Sequence, residues 1–300
     1  MTVSLSAARP SIARLALGYL ELTKPRIVAL VIFTGLPGLL LAIGGFPAPR
    51  LLLSTLIGTA LAAASAACFN HYLDRDIDAL MRRTAARPLP SGLIPPSHAV
   101  VLGVALGLLS VVVLLAFTTP LATVLAVTSI FYYAWFYTAW LKRRTPQNIV
   151  IGGGAGASAP LIAWAAATGT LSWPAVILAG IIFLWTPPHF WALALYRSED
   201  YLRANIPMLP VTHGEEETRR QIVIYSWVLV LTTLSLGLFG VVGPLYLGSA
   251  ALLGARFLWM AHRLRRTRAV PEAVGLFRYS IMYLFLLFAI LTADAITRSF

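Results

Sequence analysis

Long apolar runs separated by short polar segments dominate the chain. A helix needs about 20 mostly apolar residues to span a bilayer, and nine runs are long enough to be candidates. They are predicted at 26–45, 52–72, 98–118, 121–141, 148–168, 173–195, 221–243, 245–262 and 279–297. Because backbone groups in lipid must pair internally, runs of this length predict helices. The expected fold is an all-α membrane protein with nine transmembrane helices.

Composition supports membrane insertion and a single membrane domain. Of the 300 residues, 59% are hydrophobic and 11% are charged, whereas a soluble domain is about a quarter charged. No polar block stands apart from the apolar runs, which predicts a membrane domain over residues 21–300. Residues 1–20 are predicted to be an N-terminal cytoplasmic tail. They faintly resemble a mitochondrial transit peptide, but Glu21 follows directly, which favours a bacterial inner-membrane protein over one of the mitochondrial inner membrane.

Basic residues are distributed unevenly between the predicted loops. With a cytoplasmic N-terminus, the outer segments carry only Arg50 and Arg298. The inner segments carry Lys24, Arg26, Arg75, Arg82, Arg83, Arg87, Lys142, Arg143, Arg144, Arg197, Arg203, Arg219, Arg220, Arg263, Arg265, Arg266, Arg268 and Arg278. This asymmetry follows the positive-inside rule and predicts a C-terminus outside. It also accounts for the net charge of +12, so nucleic-acid binding is not expected.

The stretch FNHYLDRDIDALMRRTAARPLPSG, residues 69–92, carries the first candidate chemistry. Asn70, Asp74 and Asp78 are spaced four residues apart, so a helix places them on one face. One amide and two carboxylates form a hard oxygen site suited to Mg²⁺ with water and substrate phosphate. The alternative is a solvated helix end with ordinary charge pairs. The predicted membrane depth of Asn70 favours the metal site, because polar groups there are expensive.

Two further segments could complete a diphosphate site. Asp200, in YRSEDYLRANIPMLP, could hold a second Mg²⁺, with Arg203 beside it. Lys142 and Arg143, in YTAWLKRRTPQN, lie at the same predicted membrane level as the acids and suit a diphosphate. The alternatives are an ordinary surface loop for the first segment and plain membrane anchoring for the second.

The segment FLWTPPHFWALAL, residues 183–195, combines two prolines with a histidine among aromatic residues. Pro187 and Pro188 are predicted to break the sixth helix. His189 could then face a cavity and bind a flat macrocycle or act as an axial ligand to iron, unless it is a satisfied core histidine. Residues 152–160, GGGAGASAP, predict close helix packing, since a phosphate-binding loop would need a preceding strand.

Acidic metal ligands and basic residues beneath an apolar helical chamber suit a diphosphate with a hydrophobic tail. Metal and cations would make the diphosphate a leaving group, and the chamber would keep water from the resulting cation. The alternative class is a membrane transporter of an organic anion, which predicts an internal repeat with paired broken helices.

Five collinear motifs over about residues 20–297 resemble the heme-modifying branch of the UbiA-type intramembrane prenyltransferases. They are LTKPRI at 22–27, DRDIDALMRRTAARPLPSG at 74–92, YTAWLKRRTPQNIVIGGGAGA at 137–157, TPPHFWALAL at 186–195 and DYLRANIPMLPV at 200–211. The resemblance implies helices around a central cavity that opens to the cytoplasm and laterally to lipid. It also implies transfer of the farnesyl group of farnesyl diphosphate to a vinyl group of heme b with addition of water, giving heme O. The runner-up acceptor is a quinone precursor or a chlorophyll-like ring.

The resemblance also assigns site residues. It implies that Asn70, Asp74, Asp78 and Asp200 are catalytic and hold Mg²⁺, and that His189 contacts heme. It implies that Arg83, Arg87 and Lys142 bind the diphosphate, and the residue pattern adds Arg143 and Arg203 as candidates. Position 204 is Ala where many superfamily members have a second acid, so the number of tightly bound Mg²⁺ ions stays open. The expected partners are membrane lipid and a heme A synthase or terminal-oxidase assembly proteins.

Overall fold

The computed structural model describes residues 11–298, and every regular element within this range is helical. The helices are α1 Ile12–Leu22, α2 Pro25–Ile43, α3 Pro49–Leu80, α4 Pro96–Phe117, α5 Pro120–Phe131, α6 Asn148–Gly156, α7 Ser158–Thr168, α8 Trp173–Tyr196, α9 Ser198–Arg203, α10 Leu209–Thr212, α11 Gly214–Ser235, α12 Pro244–Thr267 and α13 Val270–Thr297. A π-helical segment, Tyr132–Leu141, continues α5, and a 3₁₀ turn, Leu236–Phe239, continues α11.

Prolines mark the starts of most long helices. The first residues of α2, α3, α4, α5 and α12 are all proline, where the fixed φ suits the helix and the missing N–H costs nothing. The connection between the third and fourth predicted spans is a tight turn: α4 ends at Phe117 and α5 begins at Pro120. Thr119 caps α5 by accepting a hydrogen bond from the backbone N–H of Ala122 at 3.2 Å.

Eight helical segments within residues 11–298 are long and apolar enough to cross a membrane. They correspond to eight of the nine predicted spans. The predicted span 245–262 forms α12 but is not among the eight; α12 contains Arg256, with further arginines near its C-terminal end. The large apolar side chains that face outward on α4, such as Leu108 and Val112, are what lipid contact requires.

The helix α3 is longer than a bilayer requires. Its 32 residues extend about 48 Å at 1.5 Å per residue, compared with a hydrocarbon core of about 30 Å. The prediction that this helix continues beyond the apolar run is therefore confirmed. Its last turns carry the acidic residues of the candidate site.

The prolines of α8 do not break the helix, so that prediction is wrong. Residues Trp173–Tyr196 stay helical through Pro187 and Pro188. The hydroxyl of Thr186 donates a 2.8 Å hydrogen bond to the carbonyl of Ile182, one turn earlier. Membrane helices tolerate proline where neighbouring helices and Thr side chains satisfy the freed backbone groups. Here both prolines are buried against other helices.

The glycine-rich segment allows helices to approach closely, as predicted. A Cβ on Gly152 would lie 2.2 Å from Cδ2 of Tyr137, and one on Gly153 would lie 3.0 Å from Cβ of Thr186. Ala157 separates α6 from α7. The tyrosine ring of the π-helical segment therefore occupies space that any larger residue at position 152 would take.

Part of the predicted N-terminal tail packs on the bundle. Residues 1–10 lie outside the described residues, whereas Ile12–Leu22 form α1. Tyr19, within the predicted tail, packs against a buried cluster that contains Leu22, Cys68 and Ile94. Helix α1 thus contacts α3 and the segment after it, and it leads directly into the turn before α2.

Candidate active site

The face of α3 that bears Asn70, Asp74 and Asp78 is buried. These residues are 4%, 1% and 1% exposed, and all three line one cavity of about 350 Å³. The i, i+4, i+8 spacing thus places them together, as the sequence predicts. Asp76, on another face of the same helix, has a side chain that is 60% exposed.

Asp74 makes two contacts through one oxygen and none through the other. Its Oδ2 accepts hydrogen bonds from Nδ2 of Asn70 at 2.8 Å and from Nζ of Lys142 at 2.7 Å. Its Oδ1 is buried without a hydrogen-bond partner. A buried carboxylate oxygen is costly unless something pairs with it, so this atom fits a metal ion or a donor supplied by a ligand.

Asp78 is paired with the loop that follows α3. Its Oδ2 accepts a 2.7 Å hydrogen bond from Arg87, and its backbone carbonyl accepts one from the hydroxyl of Thr84 at 2.9 Å. These contacts fold the loop back over the cavity, so that Arg83 also lines it. Burial raises the pKa of the neighbouring Tyr201 hydroxyl, and Arg83, which contacts it, offsets part of that rise.

Lys24 is a cavity residue that the sequence reasoning counted only as a loop charge. Its ammonium donates a hydrogen bond to Oδ1 of Asn70 and lies 5.9 Å from the ring centroid of Tyr133. Burial, followed by the proximity of Arg87, lowers the pKa of Lys24 to about 7. The first cause reflects a dry cavity and the second reflects its positive charge. An anion bound in the cavity would offset that charge.

Three predicted site residues are not among those that line the cavity. Arg143 instead makes a bidentate pair with Asp76 at 2.6 and 2.7 Å. Arg203 is partly exposed and lies 3.4 Å from Glu199 and 3.8 Å from Asp200. Asp200 itself is buried, at 7% exposure, next to the cavity residue Tyr201.

His189 lines the same cavity as the carboxylates, from the α8 side. Its ring is stacked between Trp185 and Phe277, with centroid distances of 4.2 and 4.7 Å. Its Nδ1 lies 2.7 Å from Oγ of Ser280, and the indole N–H of Trp185 donates to the carbonyl of Ser280 at 2.7 Å. Within residues 11–298, no hydrogen-bond partner contacts Nε2, which leaves that nitrogen for a ligand.

The family of the chain follows from its sequence and fold together. The model of the UbiA prenyltransferase family matches residues 31–291. The chain belongs to the UbiA prenyltransferase family.

Two relatives of this UbiA protein share one functional description. A protein of Gloeobacter violaceus described as protoheme IX farnesyltransferase is 49% identical over 299 residues, covering 97% of each chain. One of the same description from Roseiflexus sp. is 48% identical over 278 residues, covering 93% of this chain and 52% of the relative. The chain thus spans about half the length of some curated relatives it matches.

Solved structures share the fold of this UbiA chain at low sequence identity. A digeranylgeranylglyceryl phosphate synthase superposes with a TM-score of 0.79 at 20% identity, over 94% of this chain and 99% of the other. A UbiA homologue from Archaeoglobus fulgidus, bound to DMAPP and Mg²⁺, gives 0.63 at 18% identity, over 91% and 98%. At these identities the likeness establishes the fold alone.

Among the described residues of this UbiA protein, no group of three or more His, Cys, Asp or Glu side chains could hold a metal ion. Asp74 and Asp78, with the amide of Asn70, are therefore a sparse donor set. Sparse carboxylates suit Mg²⁺, which keeps several waters and takes further oxygens from substrate phosphates. The unpartnered Oδ1 of Asp74 makes the same residues a fit for that ion.

Two tyrosines of the π-helical segment also line the cavity. Tyr133 and Tyr137 stack with a centroid distance of 5.6 Å, and both face the carboxylate site. A π-helical stretch often occurs at functional sites. This local widening of the helix was not predictable, because YYAWFYTAWL is mostly apolar and contains no proline or glycine.

Proposed function

We propose that the protein transfers the farnesyl group of farnesyl diphosphate to a vinyl group of heme b, giving heme O and diphosphate. The observation that carries this proposal is the single cavity that joins buried carboxylates and basic side chains to apolar walls and His189. A polar end suits a diphosphate, and the apolar walls suit a prenyl chain. The relatives described as protoheme IX farnesyltransferase support the same assignment.

Mg²⁺ would be held by Asn70, Asp74 and Asp78. When bound, the ion supplies positive charge that neutralises the diphosphate and favours its departure. The Archaeoglobus fulgidus homologue bound to DMAPP and Mg²⁺ supports use of a divalent ion by this fold. Asp200 remains our candidate for a second ion, at a buried position next to the cavity rather than on its wall.

Basic side chains would bind the diphosphate itself. Lys142 and Arg87 already contact Asp74 and Asp78, and Arg83 lines the same cavity. Arginine gives bidentate contacts to phosphate and lysine gives a compact charge. Arg143 and Arg203 would join only after leaving their present acidic partners, so they are weaker candidates.

The apolar walls would hold the prenyl chain and exclude water. Leu30, Val31, Ile182 and Leu284 line the cavity, and the farnesyl carbons would lie against them. The faces of Tyr133 and Tyr137 are suited to stabilise the allylic cation left when the carbon–oxygen bond breaks. Water excluded from this region cannot capture that cation before the acceptor does.

The acceptor would meet His189. The stacked rings of Trp185 and Phe277 fix the imidazole, and Ser280 engages Nδ1, so Nε2 is the nitrogen that would contact heme iron. In the reaction, the farnesyl carbon bonds to the terminal vinyl carbon. Water then supplies a hydroxyl group to the adjacent carbon and releases a proton. Diphosphate carries away the electron pair of the broken bond.

We also propose nine membrane spans, with the N-terminus in the cytoplasm and the C-terminus outside. Helix α12 would be the ninth span, since its 24 residues are long enough to cross. With nine spans, the two termini lie on opposite sides of the membrane. The positive-inside distribution of arginines supports this orientation. The protein would then lie in a bacterial inner membrane with its active site facing the cytoplasm. Heme O would pass to a heme A synthase or to terminal-oxidase assembly proteins.

A mass-spectrometric assay tests this function. Purified protein receives heme b, farnesyl diphosphate and Mg²⁺ in heavy-oxygen water. The expected product is heme carrying a farnesyl group and one labelled hydroxyl group. A parallel reaction with an aromatic quinone precursor tests the runner-up acceptor. Prenylation of the quinone precursor with no change in heme would overturn the proposal, and transport of an organic anion without any prenylated product would favour the transporter alternative.

A further inference from the structure

The basic residues of the chain are strongly biased toward arginine. Lys24 and Lys142 are the only lysines among 23 basic residues. Although 118 positions separate them in the sequence, both line the same cavity. Lys142 contacts Asp74, and Lys24 contacts Asn70, which itself donates to Asp74. The two lysines therefore converge on one hydrogen-bonded pair.

The backbone at Lys24 adopts a strained, left-handed conformation. Its φ is 50° and its ψ is 60°, a left-handed conformation that costs a non-glycine residue energy and commonly marks a functional site. Asn205 and Arg268 are the other non-glycine residues with positive φ in the described range. Lys24 alone among these three lines the cavity. Pro25 follows directly and starts α2, so the strain is concentrated at the turn between α1 and α2.

The ammonium of Lys24 has unused donors. An ammonium carries three N–H donors, and the only hydrogen bond from this one to a side chain in residues 11–298 goes to the neutral amide oxygen of Asn70. Lys142, by contrast, is paired with a carboxylate at 2.7 Å. A half-buried cation without an ion pair gains most from an anion placed beside it.

We propose that Lys24 binds the diphosphate directly, alongside Lys142, and so is a second ammonium ligand of the leaving group. This inference rests on the proposed function in taking a prenyl diphosphate as the ligand. Lysine suits the position because a compact ammonium on a flexible stem can move from Asn70 to a phosphate oxygen. Asn70 Oδ1, once released, becomes available to the metal ion. Lys24 thereby couples diphosphate binding to completion of the magnesium site.

The test is binding of inorganic pyrophosphate with Mg²⁺, measured by calorimetry on the full chain in nanodiscs. Lys24→Met should weaken binding at least about tenfold, the scale of losing one hydrogen bond to a charged group. Lys24→Gly suits the left-handed backbone and should lose as much affinity. Arg26→Met removes one charge two residues further on, outside this cavity, and should bind within about twofold of the wild type.

The variants separate a ligand role from a role in the turn. If Lys24→Gly binds pyrophosphate like the wild type, or if Arg26→Met loses as much affinity as Lys24→Met, the inference is overturned. Should Lys24→Met fail to fold, Lys24→Gly decides, because it removes the side chain and relieves the strain together.

The inference and the proposed function can fail separately. If the wild type farnesylates heme while Lys24→Gly retains pyrophosphate affinity, only the role of Lys24 is refuted. If Lys24→Gly loses pyrophosphate affinity but the wild type prenylates an acceptor other than heme, only the heme assignment is refuted.

Discussion

Nζ of Lys142 lies 2.7 Å from Oδ2 of Asp74, and the two side chains are only 14% and 2% exposed. Removing one partner from such a buried pair leaves the other as an uncompensated charge. The second oxygen of Asp74 remains without a protein partner. Asp74 therefore pairs on one side with Lys142, the proposed diphosphate ligand, and leaves its second oxygen for a cation.

Replacing Asp74 should stop catalysis. Asp74→Asn keeps the shape of the side chain but removes the charge that would hold Mg²⁺ and orient Lys142. We expect turnover of farnesyl diphosphate with heme to fall about hundredfold or more, the scale of losing one charge-stabilising group. Product mass and circular dichroism, measured on the same sample, separate this effect from unfolding.

Asp76→Asn is the matched control, since it changes the same residue type two positions along α3. Asp76 faces outward and pairs with Arg143, and exposed pairs contribute about 0–1 kcal/mol. Near-normal turnover is expected. Equal losses in the two variants would mean that the buried face has no special role.

The histidine site should affect heme and leave pyrophosphate binding unchanged. His189→Phe can keep the stacking between Trp185 and Phe277 but removes Nε2, so the heme absorption change on binding should disappear. Ser280→Ala removes the partner of Nδ1 and should weaken heme binding about tenfold, as loss of an outer hydrogen bond to a metal-binding histidine does. Unchanged heme spectra in both variants would show that His189 is only a core residue.

The glycines of α6 provide a paired test of cavity shape. A Cβ on Gly152 would lie 2.2 Å from Tyr137, whereas one on Gly156 would have no neighbour within 4 Å. Gly152→Ala should lower unfolding free energy by about 1–3 kcal/mol and reduce turnover by displacing the tyrosine. Gly156→Ala should be neutral or gain about 0.5–1 kcal/mol. Thermal unfolding of both variants provides the comparison, and identical behaviour would contradict the packing argument.

Asp294 should be a structural residue. It accepts hydrogen bonds from the backbone N–H groups of Gly243 at 2.7 Å and Tyr246 at 3.3 Å, at the start of α12. Asp294→Ala should cost about 2 kcal/mol, the upper range for loss of a helix cap, with unchanged pyrophosphate affinity. Glu272→Ala removes another carboxylate of α13, in a partly exposed pair with Arg263, and should cost about 1 kcal/mol or less. Lost pyrophosphate affinity in Asp294→Ala would contradict a purely structural role.

The acidic face of α3 was predictable from local spacing, whereas the pairing of residues distant in sequence was not predictable. Asn70, Asp74 and Asp78 share a face because helix geometry alone decides it. The partner of Arg143 depends instead on how the π-helical segment lies on α3, so the bidentate pair with Asp76 could not be read from the motif. Lys24 was missed for the same reason, although the LTKPRI motif contains it.

Packing between helices also overrode one local rule. Pro187 and Pro188 were expected to end a helix, yet helical backbone continues because neighbouring helices enclose it. The partners of Asp294 were not predictable either, because the N–H groups that donate to it belong to the start of another helix, 48 and 51 positions away. Such contacts exist only once the bundle has packed.

A structure of the protein with Mg²⁺ and a non-hydrolysable farnesyl thiodiphosphate would test the central claim most directly. The account predicts the diphosphate within hydrogen-bond distance of Lys142 and Arg87, with the ion on Asp74 and the farnesyl chain along the cavity toward His189. A headgroup bound at the opposite ends of the helices, near Arg50, would contradict it.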